Sequence, residues 1–137
     1  MMKQIKSKKR VQDYGEVFTA EREVKALCDL IPAEVWENIE STFLEPSCGN
    51  GNFLVEIYAR KLARCSTDAE AVKALASITA IDILPDNCNE SRDRLRKMFL
   101  ERFPDSDQLG AVDEILQKNI ICGDSLEIMP RLKGAEQ

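Results

Sequence analysis

Apolar residues recur at Val24, Leu27, Cys28 and Ile31, the i, i+3, i+4, i+7 spacing of one helix face. Thr19 is the expected N-cap, and Glu21 and Glu23 fall in the first turn, where the helix dipole favours acids. Pro32 ends this helix. A short helical piece around Ala33–Glu37 follows, with Trp36 expected inside. The period then changes, and Thr42–Glu45 is predicted as a short strand. A helix of about Asn52 to Arg64 comes next, with Phe53/Ile57 and Leu54/Tyr58 as i,i+4 pairs on its buried side. Thr67 and Glu70 have the spacing of a capping box and open a further helix, with Val72, Leu75 and Ala76 as its apolar face. Ile78–Ile83 is apolar but for Thr79 and Asp82, which suits a parallel strand covered on both faces. Pro85 opens the next helix at a position where its missing N–H costs nothing. That helix runs to about Arg102, with Leu95, Met98 and Phe99 inward, and Pro104 and Asp105 break it. Leu109, Val112 and Leu116 mark one more helix, and Asn119–Cys122 a third strand. From Glu127 to Gln137 the pattern carries no clear signal.

Strands alternating with helices imply right-handed crossovers and a parallel sheet, so the fold class is α/β. Residues 1–14 read as a flexible basic arm and residues 15–137 as one modest domain. The 44% hydrophobic and 31% charged composition fits a folded globular chain. No apolar run approaches the roughly 20 residues of a membrane span. The start lacks a signal peptide's apolar core. A cytoplasmic location without a membrane partner is therefore expected. The five cysteines are spread without a Cys-x-x-Cys, which disfavours a disulfide framework and a zinc site, and no metal is expected. With no histidine, Ser-His and Cys-His catalysis are excluded within this chain. A net charge of −5 is unsuited to gripping DNA alone, because phosphate neutralisation supplies most of that affinity. The one basic cluster, Lys3, Lys6, Lys8, Lys9 and Arg10, reads as a solvated terminus, with DNA contact as the alternative.

The candidate chemistry begins where the first strand runs into Glu45, Pro46, Ser47, Cys48, Gly49, Asn50 and Gly51, with a helix following at once. That order places a glycine turn and a helix N-terminus at the carboxyl end of a strand, where open α/β sheets bind nucleotide-like ligands. Gly49 and Gly51 can take positive φ and let a ligand approach the backbone. A dinucleotide fingerprint would need a small residue where Leu54 stands, and no Gly-Lys-Ser/Thr follows, so a P-loop is excluded. Cys48 reads as a small residue filling the loop rather than as a nucleophile. Asp82, at the end of the second strand, can accept from both hydroxyls of a ribose. It lies further from the glycines than the usual spacing of about 20 residues, and the capped helix at Thr67 accounts for the surplus. Asp124 follows the third strand and can accept from an exocyclic amine.

The stretch Glu45 to Leu54 resembles motif I of S-adenosylmethionine-dependent methyltransferases, in the form common among adenine-N6 DNA methyltransferases of restriction–modification systems. Gly15-Glu16-Val17-Phe18-Thr19 resembles their N-terminal motif X, and Gly123-Asp124-Ser125-Leu126 their third motif. The resemblance implies a partial Rossmann-like methyltransferase fold with three parallel strands, and S-adenosyl-L-methionine as cofactor. Under it, Phe18 covers the methionine part and Thr19 sits near its carboxylate. Glu45 holds the ammonium, and Pro46, Ser47, Cys48, Gly49 and Gly51 form the cofactor loop. Asp82 binds the ribose, Ile83 packs on the adenine, Asp124 reads the N6 amine and Ser125 lines the same face.

The family's catalytic tetrapeptide, Asp/Asn/Ser-Pro-Pro-Tyr/Phe/Trp, accepts hydrogen bonds from the target amine and stacks on the flipped base. No Pro-Pro occurs here, and no catalytic residue is assigned. The chain stops where a fourth strand should begin and lacks a target-recognition region, so it is expected to be inactive alone. The first strand's edge should be open, and an open edge invites pairing. The expected partners are double-stranded DNA, reached through a missing region or another chain, and a complementing methyltransferase or specificity subunit. The alternatives are a non-catalytic cofactor-binding subunit, a truncated product, or a methyltransferase with a non-DNA substrate.

Overall fold

In the computed structural model, Phe43–Glu45 (β1), Ile78–Asp82 (β2) and Ile120–Cys122 (β3) form one parallel sheet in the order β1-β2-β3. Residues 5–14, 16 and 18–136 are described. The helices are α1 (Lys8–Tyr14), α2 (Glu21–Cys28), α3 (Ala33–Glu37), α4 (Asn52–Leu62), α5 (Asp68–Ala76), α6 (Pro85–Arg102), α7 (Leu109–Asn119) and α8 (Ser125–Glu136). Register pairs Glu45 with Ala80 and Asp82 with Cys122, so the carboxyl ends of the strands lie side by side. No helix among the described residues is long and apolar enough to cross a membrane.

The central strand is the most buried, and helices α5, α6 and α7 pack on it. Tyr58, Leu75, Ile78, Leu95, Phe99 and Ile120 are fully enclosed at the heart of the core. The capping box is present: Thr67 Oγ1 accepts from the Glu70 N–H, and Glu70 Oε1 accepts from the Thr67 N–H, both at 3.2 Å. Pro85 occupies the first turn of α6. β1 pairs with β2 alone among the described residues, and Leu44 on it is 45% exposed.

Several sequence expectations are corrected. Thr19 does not cap α2; Ala20 holds the N-cap position and makes no side-chain cap hydrogen bond. Leu27 stands out in solvent, so α2 buries only Val24 and Cys28. The buried face of α5 is Ala71, Ala74 and Leu75, while Val72 is half-buried and Ala76 exposed. Residues 8–14, expected as a loose arm, form α1. The stretch from Glu127, which gave no clear signal, belongs to α8, which runs from Ser125 to Glu136 despite Pro130 inside it. Gly15, Val17 and Lys3, part of the same readings, lie outside the described residues.

Lys61 is buried on the inner side of α4, where a polar residue breaks the apolar pattern. Its Nζ donates to the Ile39 and Ser41 carbonyls at 2.8 and 2.7 Å and lies 4.9 Å from the Phe43 ring centroid. Burial lowers its pKa to about 8. The long aliphatic stem joins the core while the amine ties down the chain entering β1.

Candidate cofactor site

The loop after β1 is held from below by the neighbouring strand. The Cys48 N–H donates to the Ile81 carbonyl at 2.8 Å, and the Gly49 N–H donates to Asp82 Oδ2 at 2.9 Å. The Ser47 N–H donates to Glu45 Oε1 and the Gly51 N–H to the Cys48 carbonyl. These amides are spent inside the protein, so they form no cradle for a phosphate. Helix α6 clasps the same loop, with Arg94 donating to the Asn50 carbonyl and Asn52 Oδ1 at 2.9 Å.

Asp82 is the hub of the arrangement. Its Oδ1 accepts from the Leu84 N–H at 2.9 Å and Asn87 Nδ2 at 3.2 Å, while Oδ2 holds Gly49. Its own carbonyl accepts the Gly123 N–H at 2.9 Å, drawing in the loop after β3. One residue thus ties three strand tips together. A carboxylate offers about four acceptor sites, and three are taken, which leaves Oδ2 able to accept once more.

Above these tips lies a cavity of about 440 Å³, within the range usual for small-ligand sites. Phe18 and Thr19 form one wall, and Glu45, Pro46, Ser47, Cys48 and Gly49 form the floor. Asp82 and Ile83 border it from β2, and Asp124 and Ser125 from the loop after β3. Every site residue expected from the sequence is therefore brought to one cavity except Gly51. That glycine is the N-cap of α4 at φ 94°, buried, and faces Ser91 of α6 instead of the cavity. Gly49, at φ 54°, is needed for a different reason: a Cβ there would meet the Phe18 ring at 2.8 Å.

Sequence reasoning missed Glu16, Asn50, Asn52, Phe53, Leu84 and Gly123 as lining residues. Adjacency to expected positions was the only signal for most of them. It also missed Asn87, fully buried in the first turn of α6, for which no local pattern calls.

Charge distinguishes the cavity. Glu16, Glu45, Asp82 and Asp124 line it, and no lysine or arginine does so among the described residues. Arg10 neutralises Glu16 from behind, but no ion pair reaches the other three among the described residues. Burial raises the Glu45 pKa, and the Ser47 N–H only partly offsets it. Burial likewise pushes the Cys48 thiol up to about 12, so it stays protonated at neutral pH and is not a nucleophile. No group of three metal-ligating side chains gathers among the described residues.

No protein-family model matches the chain, and comparison with curated proteins and with solved structures gave no match. The functional reading therefore rests on the cavity and on the motif resemblance.

Proposed function

We propose that the chain binds S-adenosyl-L-methionine as the cofactor-holding part of an adenine-N6 DNA methyltransferase with a Rossmann-like fold. One observation carries the cofactor assignment: the cavity beside a glycine loop is walled by carboxylates, and the Ser47, Cys48, Gly49 and Gly51 amides of that loop are already spent. A phosphate-bearing nucleotide would meet repulsion from these carboxylates, with no lysine or arginine among the described lining residues to offset it. A nucleoside carrying a sulfonium and an ammonium meets the opposite field. DNA as substrate class rests on the form of the motif I stretch.

In this reading the chain contributes position rather than base chemistry. Glu45 receives the ammonium in a charge-assisted contact. Asp82 accepts a ribose hydroxyl at its remaining acceptor site, and Ile83 lies against the adenine. Asp124 accepts the exocyclic amine, although its Oδ1 already caps α8 through the Leu126 N–H at 2.9 Å. Bound there, the cofactor would supply a sulfonium methyl for transfer to an incoming amine, and these residues would contribute by holding it in place, a proximity contribution. No Pro-Pro pair occurs in the 137 residues, so contacts to the target base are assigned to none of them.

Titration calorimetry tests the reading directly. S-adenosylmethionine and S-adenosylhomocysteine should bind, and ATP and NAD should give no heat. Equal or tighter binding of ATP or NAD would overturn the assignment. Incubated alone with unmethylated DNA and labelled cofactor, the chain should transfer no methyl groups.

The raised Glu45 pKa adds a pH dependence. Only ionised Glu45 attracts the ammonium, and the ligand in turn favours ionisation. Affinity should fall as pH drops through the raised pKa, by roughly tenfold between neutral pH and full protonation, the worth of about 1.4 kcal/mol. Glu45→Gln should flatten that profile. A wild-type affinity that does not change with acidification would remove Glu45 from ammonium binding.

A further inference from the structure

Lys6 and Arg10 reach from the N-terminal segment to one end of α6, and their contacts continue inward to the cavity. Arg10 grips Asp86 with two nitrogens, Nη1 to Oδ2 at 2.6 Å and Nη2 to Oδ1 at 3.0 Å. Its Nη2 also donates to Glu16 Oε2 at 3.0 Å, and its Nε lies 2.7 Å from Oε1 without the angle of a hydrogen bond. Lys6 Nζ donates to Asp86 at 2.9 Å and Asn87 Oδ1 at 2.6 Å, and pairs with Glu90 at 3.3 Å. Asn87 is fully buried beneath them. Its Nδ2 donates on one side to Glu16 Oε2 at 2.5 Å and on the other to Asp82 Oδ1 at 3.2 Å.

An amide with both faces committed in this way has one orientation. If Lys6 and Glu16 leave, the Asn87 side chain can turn, and its bond to Asp82 is lost. Asp82 in turn orients the Gly49 N–H and the Leu84 N–H. Phe18 rides on the same N-terminal segment and covers Gly49, with Lys6 Nζ 5.7 Å from its ring centroid. The surface ion pairs are individually weak, but a two-pronged Arg–carboxylate contact within a network is the geometry in which they matter.

We propose that Asn87 is a positioning residue coupling the docking of the segment bearing Lys6 and Arg10 to the orientation of the Asp82 carboxylate. Closure of that segment and occupation of the cavity then reinforce each other, because each favours the same arrangement of Asp82. The ligand arm of this inference rests on the S-adenosylmethionine reading; the orientation of Asp82 does not.

The test uses the full chain carrying Lys6→Gln and Arg10→Gln together, at two side chains that lie outside the core. Without ligand, amide hydrogen exchange at Gly49 and Leu84 should accelerate at least tenfold, while Leu95 inside α6 stays as protected as in the wild type. Asn87→Asp should accelerate the same two amides, and adding the Lys6 and Arg10 changes to it should accelerate them no further. Affinity for S-adenosylmethionine should fall about fivefold in the double variant. Unchanged Gly49 and Leu84 exchange overturns the coupling, as does equal acceleration at Leu95, which would report global loosening. If the wild type takes up no S-adenosylmethionine while the exchange results hold, the cofactor reading fails and the positioning role stands.

Discussion

Asp82→Ala is expected to lower unfolding stability by about 3 kcal/mol, since each hydrogen bond to a charged group is worth about 1.5–3 kcal/mol and losses in one network do not add fully. The carboxylate holds the Gly49 N–H, the Leu84 N–H and Asn87 Nδ2, and the residue is 7% exposed. Removing it leaves the loop amide and the entry to α6 without acceptors. Asp82→Asn should cost less, because its carbonyl oxygen can still serve Leu84 while its amide cannot accept from Gly49. Under conditions where both variants remain folded, each should bind S-adenosylmethionine at least tenfold more weakly than the wild type. Urea titration followed by calorimetry checks both parts. An alanine variant within 0.5 kcal/mol of the wild type, a margin typical of plain surface changes, would remove Asp82 from the centre of this arrangement.

Gly51→Ala should cause a loss of similar size for another reason. At φ 94° an L-residue carries a strain of roughly 1–2 kcal/mol. The added Cβ would also come within 2.9 Å of Ser91 Oγ and 3.3 Å of the Ser91 Cα. The first neighbour is a side chain that can be trimmed, whereas the second is helix backbone. Overpacking of this kind costs about 1–3 kcal/mol, so a total near 3 kcal/mol is expected. Combining Gly51→Ala with Ser91→Ala should recover about 1 kcal/mol and no more, because the crowding against the helix backbone and the strain persist. Full recovery in the double variant would show that the hydroxyl was the whole obstacle, and that loop and helix backbone have room to move apart.

These two residues illustrate how the site is legible. Gly51 stands out in the sequence as half of a glycine pair, and a cavity role is expected for both glycines. Only one has it. The pair is required because α6 passes against the loop on one side and Phe18 covers it on the other, and both neighbours are remote in sequence. Asp82 is expected to face a ribose, and it does border the cavity. Three of its acceptor sites are nevertheless used by the protein: the bond from the Leu84 N–H, two residues on, is a local Asx-type turn, whereas the bond from the Gly49 N–H is set by packing. Lys61 shows the opposite failure. Helical periodicity marks polar residues as outward, yet its amine finds two carbonyls in the segment before β1, so burying it is tolerated.

What the amino-acid order alone determined is local: where apolar period shifts from helix to strand, where Thr67 and Pro85 start helices, and which acids end the strands. Those features depend on residues a few positions apart, and they survived almost intact. The tertiary structure decided the strand order, the convergence of the three tips, the acidic cavity and the link from Arg10 and Lys6 through Asn87 to Asp82. It also decided that residues 125–136 form a helix despite Pro130. Such outcomes depend on which groups remote in sequence complete one another's hydrogen bonds and charges, and that is set by the packing of the whole chain.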